Sequence, residues 1–173
     1  RIAVRARCVV NAAGVWADEV RALDEGTDPD SIRPAKGVHV TIPWEKVRND
    51  IAVIIPVRSD KRSLFLVPWS PLPDGTFRHV YVGTTDTDTD ESLDDPQCTA
   101  DDIDYVLTAL NQALDPNISE RVTADDITGV WAGLRPLVNT APDDNSSSKT
   151  ADLSRRHQVA VSDTGVVRVN GGK

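Results

Sequence analysis

The sequence predicts an α+β fold: a mostly antiparallel sheet with flanking helices, joined at both ends to pieces of α/β architecture. Three observations carry this. Residues 36–85 hold four short strand-like runs, and their connections are too short for parallel crossovers. Residues 99–114 form one strongly amphipathic helix. Residues 2–23 read as strand, small-residue turn and helix, the opening of an α/β unit.

From the amino end, Ile2 to Asn11 is β-branched and apolar and predicts a strand, with Cys8 inside it. Ala12-Ala13-Gly14 is a tight exit. Trp16 to Leu23 predicts a helix with Trp16, Val20 and Leu23 on its apolar face and Asp18 and Glu19 in its first turn. Asp24 to Ser31 is an acidic boundary loop. Lys36 to Ile42 alternates, with Val38, Val40 and Ile42 on the core face and Gly37, His39 and Thr41 opposite. Ile51 to Val57, Leu64 to Trp69 and Phe77 to Thr85 are the next strands, separated by Arg58 to Arg62 and by the breakers of Pro71 to Gly75.

Thr99 caps the helix, with Asp102 three residues on. Ile103, Val106, Leu107, Leu110 and Leu114 form its apolar stripe, and Asp115-Pro116 ends it. Ile127 to Val138 predicts a strand. Residues 141–150 are polar loop. Ser154 to Ser162 and Val166 to Asn170 predict a hairpin around Asp163-Thr164-Gly165. Thr-Ala-Asp-Asp-Ile occurs at 99–103 and again at 123–127. One copy opens a helix and the other a strand, so it is no structural repeat.

Composition narrows the function. Of 173 residues, 39% are hydrophobic and 27% charged, which suits an ordered globular chain. Nineteen basic against 27 acidic residues give a net charge of -8. A nucleic-acid binder shows the opposite balance, so that partner class is excluded. No apolar run approaches the roughly 20 residues of a membrane span. Two distant cysteines have neither metal spacing nor a disulfide framework. The chain contains no Met, begins at Arg1 and ends at Lys173, and reads as an excised fragment.

Several segments carry chemistry. In Gly129-Val-Trp-Ala-Gly-Leu-Arg-Pro136, alternation puts Val130, Ala132 and Leu134 on the core face and Gly129, Trp131, Gly133 and Arg135 opposite. Two glycines on one face leave a flat gap for something planar, with the Arg135 fork beside it for a phosphate or carboxylate. A bulge pattern with a surface Arg is the other reading. In Lys36-Gly-Val-His39, His39 has an ordinary pKa near ~6.5, suited to a proton acceptor, though a plain hydrogen-bonded His also fits. Gly83-Thr-Thr-Asp86 ends a strand with groups that bind a ligand or cap a turn. Asp86 to Asp90 hints at a calcium loop, but Glu91 stands at the glycine position and Gln97 at the closing Glu position, so the pattern predicts no metal site. Ser154-Arg155-Arg156 and Gly171-Gly172-Lys173 are local cationic spots suited to an anion.

Taken in order, Val-Val-Asn-Ala-Ala-Gly-Val-Trp (9–16), Lys-Gly-Val-His (36–39), Val-Pro-Trp (67–69), Gly-Thr-Thr-Asp (83–86), Gly-Leu-Arg-Pro-Leu (133–137), Ser-Arg (154–155) and Gly-Gly-Lys (171–173) resemble the FAD-dependent glycerol-3-phosphate dehydrogenases. These are respiratory flavoenzymes within the wider family of flavin oxidases that includes D-amino acid oxidase and glycine oxidase. The resemblance implies an FAD-binding domain and an antiparallel substrate domain. Residues 1–26 would be a late strand and helix of the FAD-binding domain, 27–163 the substrate domain, and 164–173 the return strand.

It also implies roles. Arg135 would bind the substrate phosphate region and act in catalysis. Arg155, or its neighbour Arg156, and Lys173 would lie near the phosphate, and His39 would be the base. Thr85 falls with the substrate-binding residues, and Gly14, Gly171, Gly172 and Lys173 with the cofactor-binding ones. The implied reaction oxidises sn-glycerol 3-phosphate to dihydroxyacetone phosphate, with FAD as cofactor and a quinone as final acceptor. The implied setting is cytoplasmic, peripheral on the inner face of the cell membrane, with a homodimer left open. Ala13 stands where many relatives have Thr. The G-x-G-x-x-G pyrophosphate fingerprint is absent, so this chain alone is expected to be inactive and to bind FAD weakly or not at all. Two alternatives remain: a flavin oxidase of amino or hydroxy acids, with Arg135 on a carboxylate, and a β-rich binding module with no activity.

Overall fold

The computed structural model describes residues 2–58, 62–89, 92–115, 120–139 and 156–172. They form two compact units, one drawn from Arg1–Ala35, Asp88–Asp94 and Leu134–Lys173, the other from Lys36–Thr87 and Asp95–Gly133.

In the first unit, β1 (Val10–Asn11) pairs in parallel with β9 (Val167–Asn170), which pairs antiparallel with β8 (Gln158–Val161). The predicted hairpin forms with its first strand over Gln158–Val161, and the predicted start at Ser154 and Arg155 lies outside the described residues. The predicted strand Ile2 to Asn11 shrinks to two residues, because only Val10 and Asn11 find ladder partners among the described residues. Cys8 is exposed within this chain. A 3-10 turn (Gly14–Trp16) leads into α1 (Ala17–Glu25), which ends on Gly26 at φ 66°.

The apolar face predicted for α1 is not the buried one. Trp16, Val20 and Leu23 are exposed, whereas Val15 and Ala17 are buried. Asn11 explains the change of phase. Its Nδ2 donates to the Ala17 carbonyl at 2.8 Å and its Oδ1 accepts from the Ala13 amide at 3.2 Å, tying the turn to the strand end. Ala17 then packs with Ile32 and Val138.

The larger sheet runs β3 (Val53–Pro56), β4 (Ser63–Pro71), β5 (Phe77–Gly83), β2 (Ile32–Pro43) and β6 (Thr87–Asp88), with β7 (Gly129–Val138) also on β2. The pairings of β3, β4, β5 and β2 are antiparallel, as the short connections require. Alternation places Val40, Ile42, Leu64, Leu66, Val80 and Val82 in one core. Helix α2 (Ala100–Ala113) supplies Val106, Leu107 and Leu110 to it, with Ile103 and Leu114 at its margin, the stripe read from the sequence. Burying such a side chain contributes roughly 1.5–3 kcal/mol.

Strand β7 departs from the simple alternation its sequence predicts. Val130 is 47% exposed, and Ala132 and Leu134 are half-buried. The fully buried positions are Arg135, Leu137 and Val138, so its core contribution comes from the end of the strand and not its middle.

Candidate functional site

His39 lies on β2, on the face turned away from the core, with Gly83 of β5 as its direct cross-strand partner. A Cβ at Gly83 would fall 2.7 Å from His39 Cδ2, so the imidazole edge rests on bare backbone. Trp131 of β7 stacks on the imidazole, with ring centroids 5.0 Å apart and planes 9° from parallel. Tyr81 meets Trp131 edge-on at 5.0 Å, and Trp69 lies 5.1 Å from Tyr81.

The main chain before His39 is braced from the core side. Thr85 is 1% exposed. Its hydroxyl accepts from the Val38 amide at 3.0 Å and donates to the Lys36 carbonyl at 3.4 Å. Lys36 is buried too. Its Nζ lies 3.0 Å from Asp102 Oδ2 and donates to the Gln97 carbonyl at 3.0 Å. Burial alone would push the Asp102 carboxyl up. The Thr99 amide and hydroxyl and the Lys36 ammonium outweigh it and hold the carboxyl below its ordinary value. Burial and the nearby Asp102 charge push the Cys98 thiol up, which disfavours a reactive thiolate.

The two glycines of β7 differ. A Cβ at Gly129 would meet Thr41 Oγ1 at 2.9 Å, so that glycine serves a close strand approach. A Cβ at Gly133 would meet nothing within 4 Å, so the space read from the sequence exists at one of the two positions. Arg135 is 5% exposed, and it is not the surface cation of the alternative reading. A guanidinium so buried is engaged by its surroundings.

In the first unit, Gly14, Gly171 and Gly172 all have positive φ, at 64°, 71° and 86°. At Gly171 a Cβ would also fall 2.7 Å from the Arg156 carbonyl, so only glycine fits there. Gly14 leaves bare backbone with open space beside it, whereas Gly171 packs against the Arg156 carbonyl and Val138. The turn that would hold the pyrophosphate is not in this sequence. Arg155 and Lys173 lie outside the described residues, and Arg156 is exposed.

Sequence reading misses three contributors: Asn11, the Lys36–Asp102 pair and the stacking role of Trp131. Asn11 and Lys36 stand inside the motifs at 9–16 and 36–39, and a polar residue beside or within an apolar run is a signal that points to both. Nothing in the linear sequence places Trp131 on His39.

Comparison with known proteins identifies the family. Residues 1–165 match the family described as FAD dependent oxidoreductase. The chain is 42% identical over 170 residues to "Glycerol-3-phosphate dehydrogenase 2" of Mycobacterium tuberculosis, covering 98% of this chain and 26% of that protein. It is 34% identical to "Glycerol-3-phosphate dehydrogenase, mitochondrial" of Rattus norvegicus, over 98% of this chain and 22% of that protein. The chain thus spans about a quarter of the length of these curated relatives. A solved structure, the glycerol-3-phosphate dehydrogenase from Bacillus halodurans complexed with FAD, superposes with a TM-score of 0.74 at 32% identity, over 98% of this chain and 29% of that one. With the antiparallel sheet, the glycine turns and the Gly-Leu-Arg-Pro strand all in place, the chain belongs to the FAD dependent oxidoreductase family.

Proposed function

We propose that the complete protein oxidises sn-glycerol 3-phosphate to dihydroxyacetone phosphate with FAD, and that this chain contributes most of the substrate domain. The observation that carries the reading is the buried Arg135 within Gly-Leu-Arg-Pro, on a chain 42% identical to a glycerol-3-phosphate dehydrogenase. FAD, when bound, supplies the hydride acceptor.

The chain's own residues do the rest. Arg135 binds the substrate phosphate through its fork of donors, joined by Arg155 or Arg156 and by Lys173. His39 accepts the proton from the C2 hydroxyl as that carbon loses its hydride. Thr85 fixes the main chain that presents His39. Gly14, Gly171 and Gly172 let the cofactor approach backbone. Residues 1–26 and 164–173 are assigned to the FAD-binding domain and 27–163 to the substrate domain, and the parallel β1–β9 pair supports the outer two. Electrons pass on to a quinone, with the enzyme held peripherally at the inner face of the cell membrane. Among the described residues no helix is long and apolar enough to cross a membrane. Family membership argues against a binding module without activity.

The test uses the complete protein without oxygen, following flavin absorbance near ~450 nm after addition of glycerol 3-phosphate. Bleaching is expected. Arg135→Ala should raise KM by about 10–100-fold, the value of lost charge-assisted hydrogen bonds. His39→Ala should lower kcat by about 10²-fold or more. Bleaching by an amino or hydroxy acid but not by glycerol 3-phosphate would overturn the substrate assignment.

A further inference from the structure

We propose that Trp131 is a positioning residue for His39: its indole stacks on the face of the imidazole, and the bare backbone of Gly83 leaves room for the ring's edge. The inference rests on the reading of His39 as the base. A histidine on an open sheet face ordinarily turns among several rotamers. Here the ring is bounded on two sides. On one, the indole of Trp131 lies parallel to it at 5.0 Å. On the other, a Cβ at Gly83 would fall 2.7 Å from Cδ2 and 3.0 Å from Cγ, and 2.8 Å from the Val38 carbonyl, so the ring's edge lies close against β5.

Trp131 is itself held. Tyr81 presents its ring at 84° to the indole, and Trp69 backs Tyr81. The result is a row of four rings from Trp69 to His39. The chain has only four Trp, two Tyr and two Phe, so this row takes three of its eight benzenoid and indole side chains. Within this chain Trp69 and Trp131 are 53% and 43% exposed, so the contacts that fix them here are with neighbouring rings, Tyr81 between them, rather than with the apolar core. Rigid aromatic rings lose little entropy when fixed, and stacked pairs hold a defined geometry. A proton acceptor held at one angle keeps its lone pair on the reacting hydroxyl, and loosening such a group lowers rate more than binding.

The test compares Trp131→Ala, Trp131→Phe and His39→Ala in the complete flavoenzyme, measuring kcat and KM for glycerol 3-phosphate. The His39 ring signal is read by NMR with 13C-labelled histidine and assigned by its loss in His39→Ala. Trp131→Ala is expected to lower kcat about 10–100-fold with KM changed less than about threefold, as misplacement of a reacting group does. The His39 signal should lose its ring-current shift, and Trp131→Phe should recover most of both. If Trp131→Ala does not fold, Trp131→Leu, which fills the place with an apolar side chain but no ring, takes its place and should lower kcat alone. Full kcat in Trp131→Ala beside an inactive His39→Ala would overturn the positioning role and leave the base intact. Full kcat in His39→Ala would overturn the base assignment and this inference with it.

Discussion

Thr-Ala-Asp-Asp-Ile at 99–103 and its copy at 123–127 begin alike. In the first, Asp102 Oδ2 accepts from the Thr99 amide at 3.0 Å. In the second, Asp126 Oδ2 accepts from the Thr123 amide at 2.8 Å. Each carboxylate also lies 3.0 Å from a lysine Nζ, Lys36 in one case and Lys46 in the other. The outcomes diverge. The first copy opens the 14-residue α2, and the second opens a three-residue 3-10 turn before β7.

The residues downstream of each copy decide the outcome. Asp104-Tyr-Val-Leu-Thr-Ala-Leu continues the helical stripe into the core, whereas Thr128-Gly-Val-Trp-Ala-Gly contains helix breakers and strand formers. A cap permits a helix and does not command one. Burial separates the two ion pairs as well. The Lys36 and Asp102 side chains are 5% and 6% exposed, against 27% and 18% for Lys46 and Asp126.

The comparison breaks most sharply at the carboxylates. Asp102→Ala strands a buried ammonium and removes a cap, and is expected to cost about 3–5 kcal/mol in urea denaturation. Asp126→Ala should cost a small fraction of that, because water replaces the lost partner. Equal losses would show that burial is not what distinguishes the pairs. Next in size, Thr99→Ala should cost about 1 kcal/mol, the value of a helix cap. Thr123→Ala should cost less, since only one short turn depends on it.

Acid should give the smallest separation. The Asp102 carboxyl sits below its unfolded value of about 3.9, held there by Thr99 and Lys36 against the opposing effect of burial. Its stabilisation is therefore complete above that value and is lost as pH falls through the lower folded one. Asp102→Asn should flatten that part of a stability–pH curve, and an unchanged slope would remove the pair as its cause.

The same contrast shows what is legible in the sequence. The four central strands, the α2 stripe and its Thr99 cap are readable because alternation and helical period are local properties. Of the strand over Ile2 to Asn11 only Val10 and Asn11 are laddered among the described residues, because β propensity says nothing about where a partner lies. The apolar face of α1 comes out in the wrong phase because the Asn11 side chain sets that turn from outside the helix. His39 and Arg135 can be picked out by residue type within motifs. The stack of Trp131 on His39 depends on how β7 docks on β2, which no local pattern encodes.

The parallel pair β1–β9 carries a consequence for how the protein is made. Val10 pairs with Val167, and nearly the whole chain lies between them. A ribosome adding about 5–20 residues per second completes β1 on the order of ten seconds before β9 exists. During that interval Val9 and Val10 wait on a nascent chain with their ladder unmade. Synthesis in the cell thus includes a window in which the backbone of Val10 and Asn11 has no partner from β9, and faster translation would shorten it.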